Sequence, residues 1–323
     1  MQTRNVLLIG GSGLIGSAIA RILTANEVAV TVATRNRERA KRLILLPTVE
    51  VVQADVYDRN QLARLVQGRD AVINLVGTLA SRGGDPYGPQ FKAAHVDLPR
   101  AVAQDCVAAG VPRLLHFSAM GASGKAPSMY LRSKAAGEAE VHTATQEYPD
   151  QIAVTVFRPS VVFGQDDKFL NLFARLQAYF PLFPLGRAEA KLQPIWVDDV
   201  AQAAVNALDN RATFGHTYDL AGPLVYTLRQ LVEYAGQAAG HPAAVLPLPT
   251  GLAYLQAWLM EFLPSPPLTR DNLDSLKVDN VMQGAIAPEL GVHPVTMDAE
   301  VPQYLAGANP RARLSRYRDN AGR

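Results

Sequence analysis

Cysteine is almost missing. Cys106 is the only one in 323 residues, so no internal disulfide can form and a reducing compartment fits. Set among Ala103, Val107 and Ala108, it reads as a packed helix residue rather than a nucleophile. No apolar run reaches the ~18 residues that a membrane-spanning helix needs. Met1-Gln2-Thr3-Arg4 leads straight into a short strand, unlike a signal peptide, so a cytoplasmic protein is expected. The six histidines are scattered, with no pair three or four apart, and no metal site is expected. Excess charge is also lacking: the net +2 speaks against nucleic acid as a partner. The one concentrated basic segment is 309–323, with Arg311, Arg313, Arg316, Arg318 and Arg323. It reads as a disordered, solvated tail, or alternatively as a contact for anionic lipid or a partner.

What is present is organised around Gly10-Gly11-Ser12-Gly13-Leu14-Ile15-Gly16. The apolar run Val6-Leu7-Leu8-Ile9 precedes it, and apolar residues at 15, 19, 22 and 23 follow with helical spacing. Strand, glycine turn and helix in that order suit a dinucleotide. Side chains are absent where the backbone must approach a pyrophosphate, and the helix N-terminus offers its N–H groups. Gly10, Gly13, Leu14, Ile15 and Gly16 are the expected contacts.

Strand-like runs then alternate with amphipathic stretches up to residue 160. Strands are expected at Val28–Ala33, Val49–Val52, Ala71–Val76, Arg113–Ser118 and Val154–Phe157. Helices are expected at Arg37–Leu45, Arg59–Val66, Phe91–Ala109 and Tyr130–Thr145. Such alternation implies a Rossmann-type, doubly wound parallel sheet with a smaller C-terminal α/β region. We assign 1–160 to the nucleotide domain and 161–308 to a substrate or partner region with segments returning to the sheet. Ten prolines between Pro181 and Pro267 break the later chain into short elements. Within it, 250–263 is a very apolar helix candidate. It either packs inside the region or meets a membrane interface or hydrophobic partner, with Tyr254 and Trp258 as amphipathic anchors.

The residues after the second strand choose the nucleotide. A carboxylate there would hold the ribose 2′-OH and repel a 2′-phosphate. This chain has Thr34-Arg35-Asn36-Arg37 instead, and the planar fork of Arg35 favours NADP(H), with NAD(H) as the alternative. Asp55 and Val56 are placed to cover the adenine; Asn74, Val76 and Gly77 are placed to pass beneath the phosphates and ribose. Tyr130 and Lys134 lie four apart on one helical face, directly after the strand that ends in Ser118. A tyrosine with pKa ~10 needs nearby positive charge to exchange protons at neutral pH, and Lys134 with an oxidised nicotinamide would supply it. Ser118 is placed to orient a substrate oxygen.

These pieces, with Arg158-Pro159-Ser160-Val161-Val162-Phe163-Gly164, resemble the extended and atypical short-chain dehydrogenase/reductases. A narrower likeness rests on Tyr130 to Glu138, Phe163 to Asn171, Gln193 to Val200, Asp219 to Pro223 and Thr269 to Asn272. Those stretches are similar to the dehydrogenase-like accessory subunit of respiratory complex I and its bacterial relatives. The resemblance implies a bound nucleotide contacted also by Ser118, Tyr130, Lys134, Arg158 and Pro159. It further implies a partner in complex I or another inner-membrane protein, peripheral attachment to the cytoplasmic membrane and a link to quinone metabolism. The lack of a presequence leads us to expect a bacterial protein. Retention of Ser118, Tyr130 and Lys134 keeps open an active NADP-dependent oxidoreductase, epimerase or isomerase acting on a lipid-like, isoprenoid or quinone-related molecule. A redox sensor that acts through a protein partner is a third reading.

Overall fold

The computed structural model describes residues 3–264 and 266–306; the basic segment 309–323 lies outside them. The chain divides into two compact units. The first takes the chain up to Pro159 together with Val197–Leu220 and Met282–His293. The second takes Ser160–Trp196, Ala221–Val281 and the chain from Pro294 on.

The first unit is built on seven parallel strands: β1 (Asn5–Ile9), β2 (Ala29–Thr34), β3 (Val49–Gln53), β4 (Ala71–Asn74), β5 (Arg113–Phe117), β6 (Ala153–Pro159) and β7 (Thr217–Leu220). Their order is β7-β6-β5-β4-β1-β2-β3. Val6, Leu7, Leu8 and Ile9 are wholly buried, as an unbroken apolar strand in a sheet covered on both faces should be. Strand order reverses between β1 and β4, which leaves a crevice at their carboxyl ends. Leu75 N donates to Ile9 O there at 2.9 Å, fixing the two chains as they leave the sheet.

Helices α1 (Leu14–Ala25), α2 (Arg59–Val66), α3 (Pro89–Lys92), α4 (Leu98–Ala109), α5 (Met129–Glu147) and α6 (Val197–Ala207) belong to this unit. Asp58 caps α2 by accepting from Asn60 N and Gln61 N. The helix expected at Arg37–Leu45 is instead two 3-10 turns, Arg37–Ala40 and Leu43–Leu45. Only Ala40 and Leu43 of that stretch are buried, too few apolar anchors to hold a longer amphipathic helix, and Pro47 follows closely. The helix expected over Phe91–Ala109 carries a five-residue π turn, Ala93–Asp97, between α3 and α4. Pro99 has no N–H to give to residue 95, which removes one α-helical bond at that place.

Arg113, buried at the start of β5, knits the unit together. Its guanidinium donates to Ala153 O, Thr155 Oγ1, Ala207 O, Leu208 O and Thr213 Oγ1 at 2.6–3.2 Å. It also stacks 4.4 Å from the Phe214 ring, and burial pushes its pKa down to about 9.

The second unit holds short strand pairs and helices around a core that includes Phe163, Leu170, Leu185, Leu231 and Val301. Its helix α7 (Thr250–Met260) is inverted: the small residues Ala253 and Ala257 are buried, against Leu248, Tyr254, Leu268 and Leu273. Leu252, Leu255, Trp258 and Leu259 face outward, 43–57% exposed, and Phe262 and Leu263 just beyond are 73% and 52% exposed. The stretch 250–263 is thus a surface helix rather than a wholly buried one, but Tyr254, expected to face outward with Trp258, packs inward and donates to Asp274 Oδ1 at 2.6 Å. Among the described residues no helix is long and apolar enough to cross a membrane.

Candidate functional site

The glycine turn sits at the β1/β4 crevice. Gly10 has φ +81°, a conformation that disfavours any side chain, and a Cβ on it would stand 3.1 Å from Val76 N. A Cβ on Gly16 would lie 2.5 Å from Gly11 Cα, so the start of α1 rests directly on the turn. Gly13 precedes α1 and provides no side-chain cap, and Leu14 and Ile15 open the helix. The first N–H groups of a helix have no acceptor within it, so they are left to an outside anion. A backbone cradle that side chains would fill, beneath an uncapped helix start, fits a pyrophosphate.

At the far end of β2, Thr34 Oγ1 donates to Asn36 O at 3.1 Å, and Ser12 Oγ lies 3.4 Å from Thr34 Oγ1. Asn36 Oδ1 accepts from Glu38 N, and Arg35 projects outward. Asp55 Oδ1 accepts from Tyr57 N at 3.1 Å. Val56 is packed in the core with Leu62, Leu65 and Val66, so its side chain is not open to adenine and only its backbone is left for that part.

Below the turn, Asn74 is buried. Its Oδ1 accepts from Val76 N and its Nδ2 faces His116 Nδ1 at 3.4 Å, so the amide shapes the Val76–Gly77 turn. Gly77 is where the groups converge: a Cβ on it would be 3.4 Å from Lys134 Nζ and 3.6 Å from His95 Nε2. Lys134 Nζ donates to Phe117 O at 3.0 Å, next to Ser118. Burial pushes the Lys134 ammonium down to about 8, although Glu138 pulls the other way. Ser118 Oγ is buried with no hydrogen-bond partner among the described residues. Burial pushes the Tyr130 phenol up to about 12, so Lys134 alone does not bring it toward neutrality. Arg158 gives both ends of its fork to Glu138.

His95 was not legible as part of this group. Its Nε2 accepts from Thr78 N at 3.0 Å, which leaves Nδ1–H to donate to Ser133 Oγ at 2.8 Å. Ser133 Oγ in turn donates to Tyr130 O at 2.7 Å. Burial, reinforced by Lys134, pushes the His95 pKa down to about 2, so the ring stays neutral and ties the loop after β4 to α5. Its only signal in the sequence is a histidine inside an apolar helix, which reads as core. Among the described residues no group of His, Cys, Asp and Glu is arranged to hold a metal.

Residues 6–221 match the NAD dependent epimerase/dehydratase family. The chain is 34% identical over 259 residues to the mitochondrial NADH dehydrogenase (ubiquinone) 1 alpha subcomplex subunit 9 of Rattus norvegicus. That match covers 78% of this chain and 65% of the rat protein, so the chain spans less than two-thirds of its relative's length. The Arabidopsis thaliana counterpart is 29% identical over 293 residues, covering 85% of this chain and 70% of that one. Among solved structures, UDP-glucuronic acid 4-epimerase from Bacillus cereus, with UDP-glucuronic acid and NAD, has the same fold. Its TM-score is 0.71 at 17% identity, covering 94% of this chain and all of that one.

Proposed function

The chain belongs to the NAD dependent epimerase/dehydratase family, and from that membership we propose an NADP(H)-binding protein of the membrane surface that works beside respiratory complex I. The likeness to the rat subunit carries the proposal, since that protein is named as part of NADH dehydrogenase (ubiquinone). An NAD(P)-binding fold follows from the family. Arg35, in place of a carboxylate after β2, supports NADP(H) over NAD(H). The outward leucines and Trp258 of α7 support peripheral attachment to the cytoplasmic membrane, or to an inner-membrane partner, because monomers seldom expose a contiguous apolar patch of that kind. The nucleotide is held chiefly as a structural element.

Replacing Leu255 and Leu259 together by Glu tests the attachment. The double variant is expected to leave the membrane fraction while folding stability changes by less than about 0.5 kcal/mol, since both side chains are already exposed. Wild-type protein found entirely in the soluble fraction, with no inner-membrane partner, would sink the proposal.

The buried, unpartnered Ser118 Oγ favours a second reading, an active oxidoreductase or epimerase on a lipid-like or quinone-related carbonyl or alcohol. A bound nicotinamide would supply hydride acceptance or donation. Tyr130 would hold or give the proton at its phenol oxygen, Lys134 would hold the ribose, and Ser118 would orient the substrate oxygen. The exchange rate of bound nucleotide separates the readings. Bound NADPH diluted into excess NADP⁺ is expected to persist for hours; loss of its fluorescence within seconds would mark a co-substrate and favour the enzyme.

A further inference from the structure

Arg35 is exposed and makes no ion pair among the described residues, yet it is not left to wander. Its guanidinium carbon lies 5.9 Å from the centre of the Tyr57 ring. Tyr57 follows the Asp55-Val56 pair at the end of β3, and its own backbone is well held. Tyr57 N donates to Asp55 Oδ1, Asp58 N donates to Asp55 O at 3.1 Å, and Asp55 N donates to Gln61 Oε1 at 3.0 Å. The Asp58 side chain then caps α2. On the other side, the Thr34 and Asn36 hydrogen bonds fix the backbone that carries Arg35. Two independently braced turns therefore bring one guanidinium over one ring.

We propose that Tyr57 is a positioning residue for nucleotide choice: its ring holds the Arg35 fork where a ribose 2′-phosphate arrives. The inference rests on the NADP(H) reading above and deepens it. A long, exposed arginine must lose side-chain freedom to grip a phosphate in two places, and a ring that already restrains it lowers that cost. The guanidinium has five N–H donors for phosphate oxygens, and the attraction of its charge to the ring needs no acceptor atom, so the two contacts use different features of the side chain. NAD(H) has no 2′-phosphate and draws nothing from the pair.

The test is the affinity of the full chain for NADPH and NADH, read by fluorescence, in wild type, Tyr57→Leu, Tyr57→Phe, Arg35→Gln and the Arg35→Gln/Tyr57→Leu double variant. Exposed cation–π contacts translate into roughly a 2- to 5-fold change in affinity. Tyr57→Leu is expected to weaken NADPH by about that factor and leave NADH unchanged. Tyr57→Phe keeps the ring and should behave as wild type. In the Arg35→Gln background, Tyr57→Leu should add nothing, because the residue acts through Arg35. If Tyr57→Leu leaves the NADPH-to-NADH ratio untouched, or weakens both nucleotides equally, Tyr57 has no such role while the NADP(H) reading stands. If wild type binds both equally, or Arg35→Gln leaves NADPH affinity intact, the NADP(H) reading fails and the role of Tyr57 falls with it.

Discussion

Lys134→Met will make the protein more stable at neutral pH and a poorer nucleotide binder. The wild-type ammonium is buried, with a pKa near 8 against its ordinary 10.5. A depression of that size means that the native state carries the charge at a penalty of roughly 3 kcal/mol. Methionine fills similar space without charge, and the Phe117 carbonyl loses a donor worth about 1 kcal/mol. The net expectation is a gain of about 2 kcal/mol at pH 7, seen as a higher urea midpoint. The sign reverses with pH in a defined window. Below pH 8 both native and unfolded chains hold the proton, so the penalty is complete. Between about 8 and 10.5 the unfolded chain binds the proton and the native chain does not, so wild-type stability rises. Above 10.5 the penalty is gone and the variant loses its advantage. A Lys134→Met protein that is less stable than wild type at pH 7 would show that the ammonium is stabilised by its surroundings rather than strained.

Gly16→Ala will damage the fold and the site together. The added methyl carbon would meet Gly11 Cα at 2.5 Å and Gly11 O at 2.7 Å. Both are backbone atoms, which no rotamer change can move aside, so α1 must lift off the turn. Overpacking of this kind costs roughly 3 kcal/mol. Carried by the turn, the same strain weakens nucleotide binding on the order of a hundredfold. Gly13→Ala is the control. Its nearest neighbour would be Gly10 O at 3.5 Å, an ordinary contact, so folding should be spared while the methyl group intrudes on the pyrophosphate. Equal melting curves for wild type and Gly16→Ala would remove close helix–turn packing from the account.

The site was legible where its signals are local. Val6–Ile9, the glycines and the helical spacing after them need only neighbours in sequence, and β1, the turn and α1 stand where those signals put them. Arg59–Val66 is equally plain, with Asp58 before it as a cap. His95 was hidden because its partners, Thr78 and Ser133, are 17 and 38 residues away. The π turn at Ala93–Asp97 was hidden too: Pro99 was visible, but helical spacing on both sides masks one added residue. A return of the later chain to the sheet is expected from the sequence, but which residues make it is not, because Thr217-Tyr218-Asp219-Leu220 is short and becomes a strand through its pairing with β6. The 3-10 turns after β2 show the opposite error, a basic stretch read as a helix with too little apolar surface to anchor one.

β7 and the Arg113 network also bear on how the chain is made. When a ribosome has delivered β6, the sheet still lacks the strand that lies beside it. The carbonyls of Ala207 and Leu208, which Arg113 will use, do not yet exist in the nascent chain. At ordinary elongation rates the intervening sixty or so residues take roughly 3–12 s. Through that interval β6 is an open edge of hydrogen-bonding groups beside a cation still short of its acceptors. The interval in which the sheet edge is open to wrong pairing is therefore expected to lie between the emergence of residue 159 and that of residue 220.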